Sequence, residues 1–413
     1  MAQRMLSLTI RLLSPFHTKT AKILEGRKHS LKLVRNFRSQ NPGQKIFWFH
    51  AASVGEFEQA LPVMQLLKKE IPDVCVAVSF FSPSGMEQKG SHPLINLSFY
   101  LPADLPDKTD ALVEALKPSA LIIVKYEFWF HLLDSCRRQE IPAVSVSCIL
   151  REKQWKNPFM RLHLCNCLPL FRQIFVQNEE TAGILRKMHL NNFCISGDTR
   201  IDRVLEIRDT AEELPWLKEW KEQDKLLIVG SAWPEDLAFL KEFIHNSSKA
   251  SARWRVLIVP HEIGEASLQQ AEKVLEMKIP RFSSGPEKDS RILMLDSTGF
   301  LSRAYRHADA AWIGGAFRTG LHNTLEAAVF GIPIAFGPNY AKFQEAGDLI
   351  KAGLAASFPE AGTVGEYFER QATEENRERL RMVAKAFFEE RIGAAEKIAR
   401  YMLLQKEGPM PLK

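Results

Sequence analysis

From residue 45 onward the chain alternates between two hydrophobic rhythms. Short, nearly unbroken apolar runs rich in β-branched and aromatic residues occupy 45–50 (KIFWFH), 74–80, 94–100, 120–125, 143–147, 173–176 and 193–195. Stretches with the three-to-four residue spacing of an amphipathic helix, such as 57–70, fill most of the gaps. Continuous apolar runs predict strands covered on both faces, and their alternation with helices predicts parallel βαβ units. The rhythm lapses over 202–224, a charged stretch with Pro215, Trp216 and Trp220, which predicts an inter-domain connection. It resumes with runs at 225–230 (KLLIVG), 255–260 (RVLIVP), 291–295, 309–314 and 332–336, and with a helix starting near His322. Residues 373–405 are charged, helical in spacing and poor in breakers, which predicts a long C-terminal helix.

The expected fold class is therefore α/β: two doubly wound Rossmann-like domains, 41–205 and 206–413, the second ending in that long helix. A length of 413 residues suits two cores better than one. Two such domains in tandem suggest a central cleft.

Residues 1–40 have a different character. Arg4, Arg11, Lys19, Lys22, Arg27, Lys28, Lys32, Arg35 and Arg38 face a single acid, Glu25, with Leu, Ile, Val and Phe interleaved. Such a segment lays apolar side chains at the acyl boundary of an anionic membrane and holds cations near its head groups. A basic, solvated helix packed on its own domain explains the same pattern. No apolar stretch approaches the roughly 20 residues that span a bilayer, and no cleavable signal peptide is evident. The net charge of +6 is modest for this size, so bulk charge points to no nucleic-acid partner. The six cysteines sit in apolar runs without a paired framework and suit a reducing compartment.

Ligands of open parallel sheets bind at the carboxyl ends of the strands, so the chemistry is sought there. After the first run comes His50-Ala51-Ala52-Ser53-Val54-Gly55-Glu56. Small residues such as Ser53 and Gly55 let a ligand approach the backbone. Glu56 can act as a general base on a sugar hydroxyl, or it can close a capping box with Ser53. Glu127, in Lys125-Tyr126-Glu127-Phe128-Trp129, suits carbohydrate contact among aromatic rings, or simply a helix N-terminus. In the second half, Gly230-Ser231-Ala232-Trp233-Pro234-Glu235-Asp236 and Pro260-His261-Glu262 follow strands. Ser231 can meet a phosphate, and His261 can meet a phosphate or a base, although a lone histidine is often structural.

The most specific stretch is Gly314-Gly315-Ala316-Phe317-Arg318-Thr319-Gly320-Leu321-His322-Asn323-Thr324-Leu325-Glu326, followed by a Gly331–Pro338 strand exit. Paired glycines, a helix start for a phosphate and an early glutamate for ribose hydroxyls together are typical of nucleotide-sugar transferases. His163-Leu164-Cys165-Asn166-Cys167 has no partner cluster; its spacing suits a buried helix rather than a metal site.

Taken in order, HAASVGE (50–56), YLPADLP (100–106), YEFW (126–129), SGDTRIDR (196–203), GSAWPED (230–236), Pro260-His261-Glu262, DSTG (296–299), GGAFRTGLHNTLEAA (314–328) and FGPNYAKFQE (336–345) resemble the Kdo (3-deoxy-D-manno-octulosonic acid) transferases of lipid A and lipopolysaccharide biosynthesis. The resemblance runs from about residue 20 to about residue 360. It implies a GT-B glycosyltransferase, with two Rossmann-like domains facing a cleft and an N-terminal acceptor domain. CMP-Kdo is the implied donor, the lipid A disaccharide precursor (lipid IVA) the acceptor, and the cytoplasmic face of the inner membrane the place, by peripheral or monotopic attachment. It implies Glu56 as the base. The implied CMP contacts are Pro260, His261, Thr298, Gly299, Phe300, Asn323, Thr324, Leu325 and Glu326. Ser53, Gly55 and Glu127 are the implied sugar contacts. No cofactor or obligatory metal is implied. The chain departs from many members at Phe300, where they carry glutamate, at Phe128-Trp129-Phe130, where they carry L-W-P, and at Thr324, where they carry proline. A UDP-sugar transferase or epimerase of the same fold, or a non-catalytic membrane-surface binding protein, are the alternative readings.

Overall fold

The computed structural model describes residues 18–285, 287, 289–318 and 320–404. The chain divides into two compact units, one running to Arg203 and resumed from Arg391 onward, the other spanning Val204–Glu390.

The first unit is built on a seven-stranded sheet of order β3-β2-β1-β4-β5-β6-β7. The strands are β1 (Ile46–Ala51), β2 (Cys75–Phe80), β3 (Leu97–Tyr100), β4 (Ala120–Val124), β5 (Ala143–Cys148), β6 (Gln173–Val176) and β7 (Phe193–Ile195), and every pairing is parallel. The continuous apolar runs have the predicted meaning. Phe47 and Phe49 enter one core and Ile46 and Trp48 the other, because alternate side chains leave opposite faces of a strand and helices cover both. The chain winds outward in one direction through β2 and β3 and in the other through β4 and β5, so the switch point lies between β1 and β4.

The second unit repeats this plan with six strands in the order β10-β9-β8-β11-β12-β13. They are β8 (Lys225–Ala232), β9 (Trp254–Pro260), β10 (Ile292–Met294), β11 (Ala310–Ile313), β12 (Ile334–Phe336) and β13 (Ala355–Ser357). All pair in parallel, and the switch point lies between β8 and β11.

Two expectations need correction. The described part of the basic segment, helix Thr18–Gln40, is not a separate module. Val34 is fully buried in the first core, the Ser30 hydroxyl donates to the Tyr100 carbonyl at 2.7 Å, and Arg38 donates to the Leu116 carbonyl at 2.9 Å. Of the expected membrane-associating segment 1–40, residues 1–17 lie outside the described residues. The long C-terminal helix is two helices, Glu374–Glu389 and Ala394–Leu404, parted at Gly393 with φ +103°. The later helix belongs to the first unit rather than the second, since Ala395, Ile398, Ala399 and Met402 pack in a core with β1 and β2. Asp202 fixes that return by accepting from the amides of Gly393 and Ala395. The stretch 202–224, expected as an inter-domain connection, does contain the boundary between the units at Arg203 and Val204, and it is helical, in Thr199–Thr210 and Pro215–Lys221. No helix among the described residues is long and apolar enough to cross a membrane.

Candidate functional site

In each unit the singled-out motifs fall at the carboxyl ends of strands, several of them beside the switch point. In the first unit, β1 leads through Ser53 into helix Val54–Glu70, which places Glu56 in its first turn. The Ser53 amide donates to the Glu56 carboxylate at 3.0 Å. Capping contact and cleft chemistry are thus not exclusive: the hydrogen bond orients the carboxylate. Only 8% of Glu56 is exposed, and burial raises its pKa, opposed by the charge of Lys125 and by backbone donors at Ala52 and Ser53. Gly55 is exposed, and a Cβ placed there would meet nothing within 4 Å, so no packing of the chain itself demands a glycine.

Glu127 follows β4. Burial, and then repulsion from Glu56, push its carboxyl up to about 7. Two carboxylates in mutual range, both raised, are a pair able to hold one proton near neutrality. Around them stand cations that the motif reading passed over. Lys125 takes a left-handed backbone with φ +62°, a strained conformation often kept where a side chain must be aimed. With its amide reoriented, Gln59 accepts from Lys125 Nζ at 3.3 Å and Arg200 Nε at 3.2 Å. Burial alone would raise the Asp198 carboxyl, yet Arg200, paired with it at 2.6 Å, holds it below the ordinary value. The SGDTRIDR motif therefore delivers Asp198 and Arg200 to the group around Lys125, which its sequence alone did not disclose.

His50 ties the two strand ends together. Trp129 Nε1 donates to His50 Nε2 at 3.1 Å, so the ring proton lies on Nδ1, which reaches the carbonyl and hydroxyl of Ser79 at 3.1 and 2.9 Å. Burial lowers its pKa to about 4, keeping the ring neutral. His163 and Cys167 do not form a metal cluster; both point to the Phe128 carbonyl, at 3.0 and 3.9 Å. Their helix, Pro158–Cys167, is largely exposed rather than buried.

In the second unit, β8 bulges between Val229 and Ala232, and Ser231 adopts φ +51°. The Ser231 carbonyl then lies where a Cβ on Gly314 would stand, 2.3 Å away, so the first of the paired glycines is required by this close approach. Asp236, fully buried, accepts from the Trp233 amide, the Trp312 indole and the Gly315 amide, each at 3.0 Å. It thereby fastens the GSAWPED loop to the glycine loop.

On this base an aromatic group assembles. The His261 ring stacks on Trp233 with centroids 4.4 Å apart and lies 4.5 Å from that of His322. Trp233 Nε1 donates to His322 Nε2 at 3.1 Å, and the Arg318 guanidinium sits 4.8 Å from the Trp233 ring centre. Burial, and then His261, lower the His322 pKa to about 4. Beside the stack opens a cavity of about 330 Å³ bounded by Trp233, Pro234, Pro260, His261, Ser267 and Arg318. That volume falls at the small end of ligand pockets, roughly 300–1,000 Å³. Arg318 and Trp233 were quoted only as parts of motifs; their pairing comes from the juxtaposition of two strand ends.

The remaining residues separate into two groups. The Asn323 amide donates to Glu326 at 2.9 Å, and Glu326 is near enough to Tyr305 to add to the burial that raises the phenol pKa. Thr324 and Leu325 are 0% and 1% exposed and lie buried in the turn that carries Asn323 and Glu326. The helix expected near His322 is a single turn, Leu325–Ala328. Thr298 and Gly299 are exposed after β10, whereas the Phe300 ring turns into the protein, 5.4 Å from Phe282 and 6.4 Å from Trp216.

Residues 26–203 match the family described as 3-deoxy-D-manno-octulosonic-acid transferase (kdotransferase). A 3-deoxy-D-manno-octulosonic acid transferase of Chlamydia muridarum is 27% identical over 311 residues, covering 71% of this chain and 70% of that protein. One from Bordetella pertussis is 25% identical over 373 residues, 85% of each chain. Among solved structures, the UDP-GlcNAc 2-epimerase of Neisseria meningitidis covers 88% of this chain and all of its own with a TM-score of 0.61, at 15% identity, a likeness of fold alone. The family match spans the whole sheet of the first unit, and the Bordetella alignment is too long for either unit by itself. The motif order read along the chain is thus met by relatives across both units, and over most of its length the chain is similar to 3-deoxy-D-manno-octulosonic acid transferases.

Proposed function

We propose that the protein transfers Kdo from CMP-Kdo to the glucosamine disaccharide of a lipid A precursor, with inversion at the anomeric carbon. The observation that carries this reading is the pairing of buried Glu56 with half-buried Glu127 at the switch point of the first unit. An acceptor hydroxyl gives its proton to Glu56 while its oxygen bonds to C2 of Kdo. The bond from C2 to the CMP phosphate oxygen breaks, and its electron pair leaves with CMP. Glu127, raised to about 7, is protonated in a large part of the molecules at neutral pH and offers a hydrogen bond to a sugar oxygen. The neighbouring charges of Lys125 and Arg200 suit the donor's carboxylate.

In the second unit, the Trp233–His261 stack and the cavity beside it suit the cytosine nucleotide, and Arg318 suits its phosphate. Asn323 and Glu326 suit the ribose hydroxyls. Pro260, Thr298, Gly299 and Phe300 contribute through backbone and shape, Thr324 and Leu325 through the turn that sets Asn323 and Glu326, and Ser53 and Gly55 border the acceptor. The acceptor is an amphiphile, so the reading places the protein on the cytoplasmic face of the inner membrane. The exposed cations Lys28, Lys32 and Arg35 of the first described helix support attraction to an anionic surface.

The test is incubation of purified protein with CMP-Kdo and tetra-acylated precursor, followed by mass spectrometry of the lipid. A gain of one or more Kdo masses is expected; an unchanged lipid, with intact donor and folded protein, overturns the reading. Replacing Glu56 with Ala removes the base and lowers turnover by about 10²–10⁴-fold while leaving CMP binding intact. CMP, rather than UDP, should raise the melting temperature; the reverse outcome would point to a UDP-sugar enzyme of the same fold.

A further inference from the structure

The surface after β5 has a composition that the chemistry above does not use. The chain leaves Cys148, forms a short helix Glu152–Lys156, and turns at Asn157 into helix Pro158–Cys167. The inner face of the second helix is anchored by Leu164 and Cys167 in the first core, and by His163 on the Phe128 carbonyl. Its outer face presents Phe159 at 85%, Leu162 at 62% and Met160 at 40% exposure. Single exposed apolar residues are ordinary, but three within four positions form a patch that water does not favour. The exposed cations Lys153, Lys156 and Arg161 neighbour these residues along the chain. The one acid of the segment, Glu152, is engaged by Lys187 at 3.3 Å.

We propose that this patch is a membrane-docking surface: Phe159, Met160 and Leu162 enter the acyl boundary of an anionic bilayer while Lys153, Lys156 and Arg161 lie among its head groups. The charge complementarity selects a lipid surface over a second copy of this chain, whose matching patch would carry the same cations. The position also fits. The chain enters this helix from the carboxyl end of β5, the same end of the parallel sheet that β1 and β4 lead from into Glu56 and Glu127. Through the Phe128 carbonyl, His163 and Cys167 join the helix to the segment that carries Glu127. A head group whose acyl chains remain in the bilayer under the patch is thereby presented to that end of the sheet. The proposal rests on the membrane association proposed above, but assigns it to residues outside the basic amino-terminal segment.

The test uses the full chain and sedimentation with vesicles of phosphatidylglycerol and phosphatidylethanolamine, against phosphatidylcholine alone. Wild type should pellet with the anionic vesicles. The double variant Phe159→Ser, Leu162→Ser should bind them at least about tenfold more weakly. Lys153→Glu, Lys156→Glu should lose binding and most of its salt dependence. Both should keep the wild-type melting temperature and full turnover on acceptor dispersed in detergent. Undiminished vesicle binding by both variants overturns this assignment while leaving membrane association intact. A wild type that ignores anionic vesicles overturns both, and a change of oligomeric state in the serine variant in place of weaker binding makes the patch a contact between copies. Transfer in detergent reports on the catalytic reading separately.

Discussion

A second proton on His50 would break a bond that the site depends on. Its Nε2 is the acceptor for Trp129, and Nδ1 is the donor to Ser79, so an imidazolium could not keep both contacts. His322 is in the same position towards the Trp233 indole. Both have pKa values lowered to about 4 from 6.5. The unfolded chain therefore binds protons that the native state refuses, and the stability these groups carry is complete above pH 6.5 and lost as pH falls towards 4. Thermal melts should show a Tm that declines between pH 7 and pH 4.5, and less steeply in His322→Gln. A variant with the wild-type slope would show that His322 is not one of the groups responsible. As residue types, His50, Glu56, His261 and Glu326 were legible in the sequence because each sits in a motif beside a strand end. Asp236 and Ser79 were not, because their significance is a set of partners from distant positions: Trp312 and Gly315 for one, Trp48 and His50 for the other.

At the scale of elements, the strands were legible wherever the apolar run was continuous. β13 escaped notice because Ala355–Ser357 contains no β-branched or aromatic residue. The helix expected near His322 begins only at Leu325 for a local reason. The Asn323 side chain accepts from the Leu325 amide and so holds the preceding residues in a turn. The C-terminal pattern kept its helical spacing across a break that only Gly393, at φ +103°, betrays. Contact between elements is equally hidden. The Gly314–Ser231 approach depends on a bulge in β8, which no periodicity reveals. Gly314→Ala must push back a backbone carbonyl and the Asp236 carboxylate. Denaturant unfolding should register a loss of about 1–3 kcal/mol, and an unchanged midpoint would mean that the loop yields freely.

At the scale of the molecule, length and rhythm indicated two α/β units, but not that the chain returns to the first after completing the second. Ile398, Ala399 and Met402 complete a core begun by Phe47 and Phe49 some 350 residues earlier in the chain. Ile398 is fully buried, so Ile398→Ala should cost about 2–5 kcal/mol. Hydrogen exchange should find the loss in β1–β7, with the protection of β8–β13 retained; an effect spread evenly over both sheets would contradict the assignment of this helix to the first unit.

That return has a consequence for how the protein is made. The second unit is one continuous stretch, Val204–Glu390, available to fold as soon as it has emerged from the ribosome. The first unit, although synthesised earlier, waits with an unfilled face until Met402 has been added and released. The part of the protein that carries Glu56 is thus begun first and finished last, and during that interval its apolar surface is the segment most in need of a chaperone.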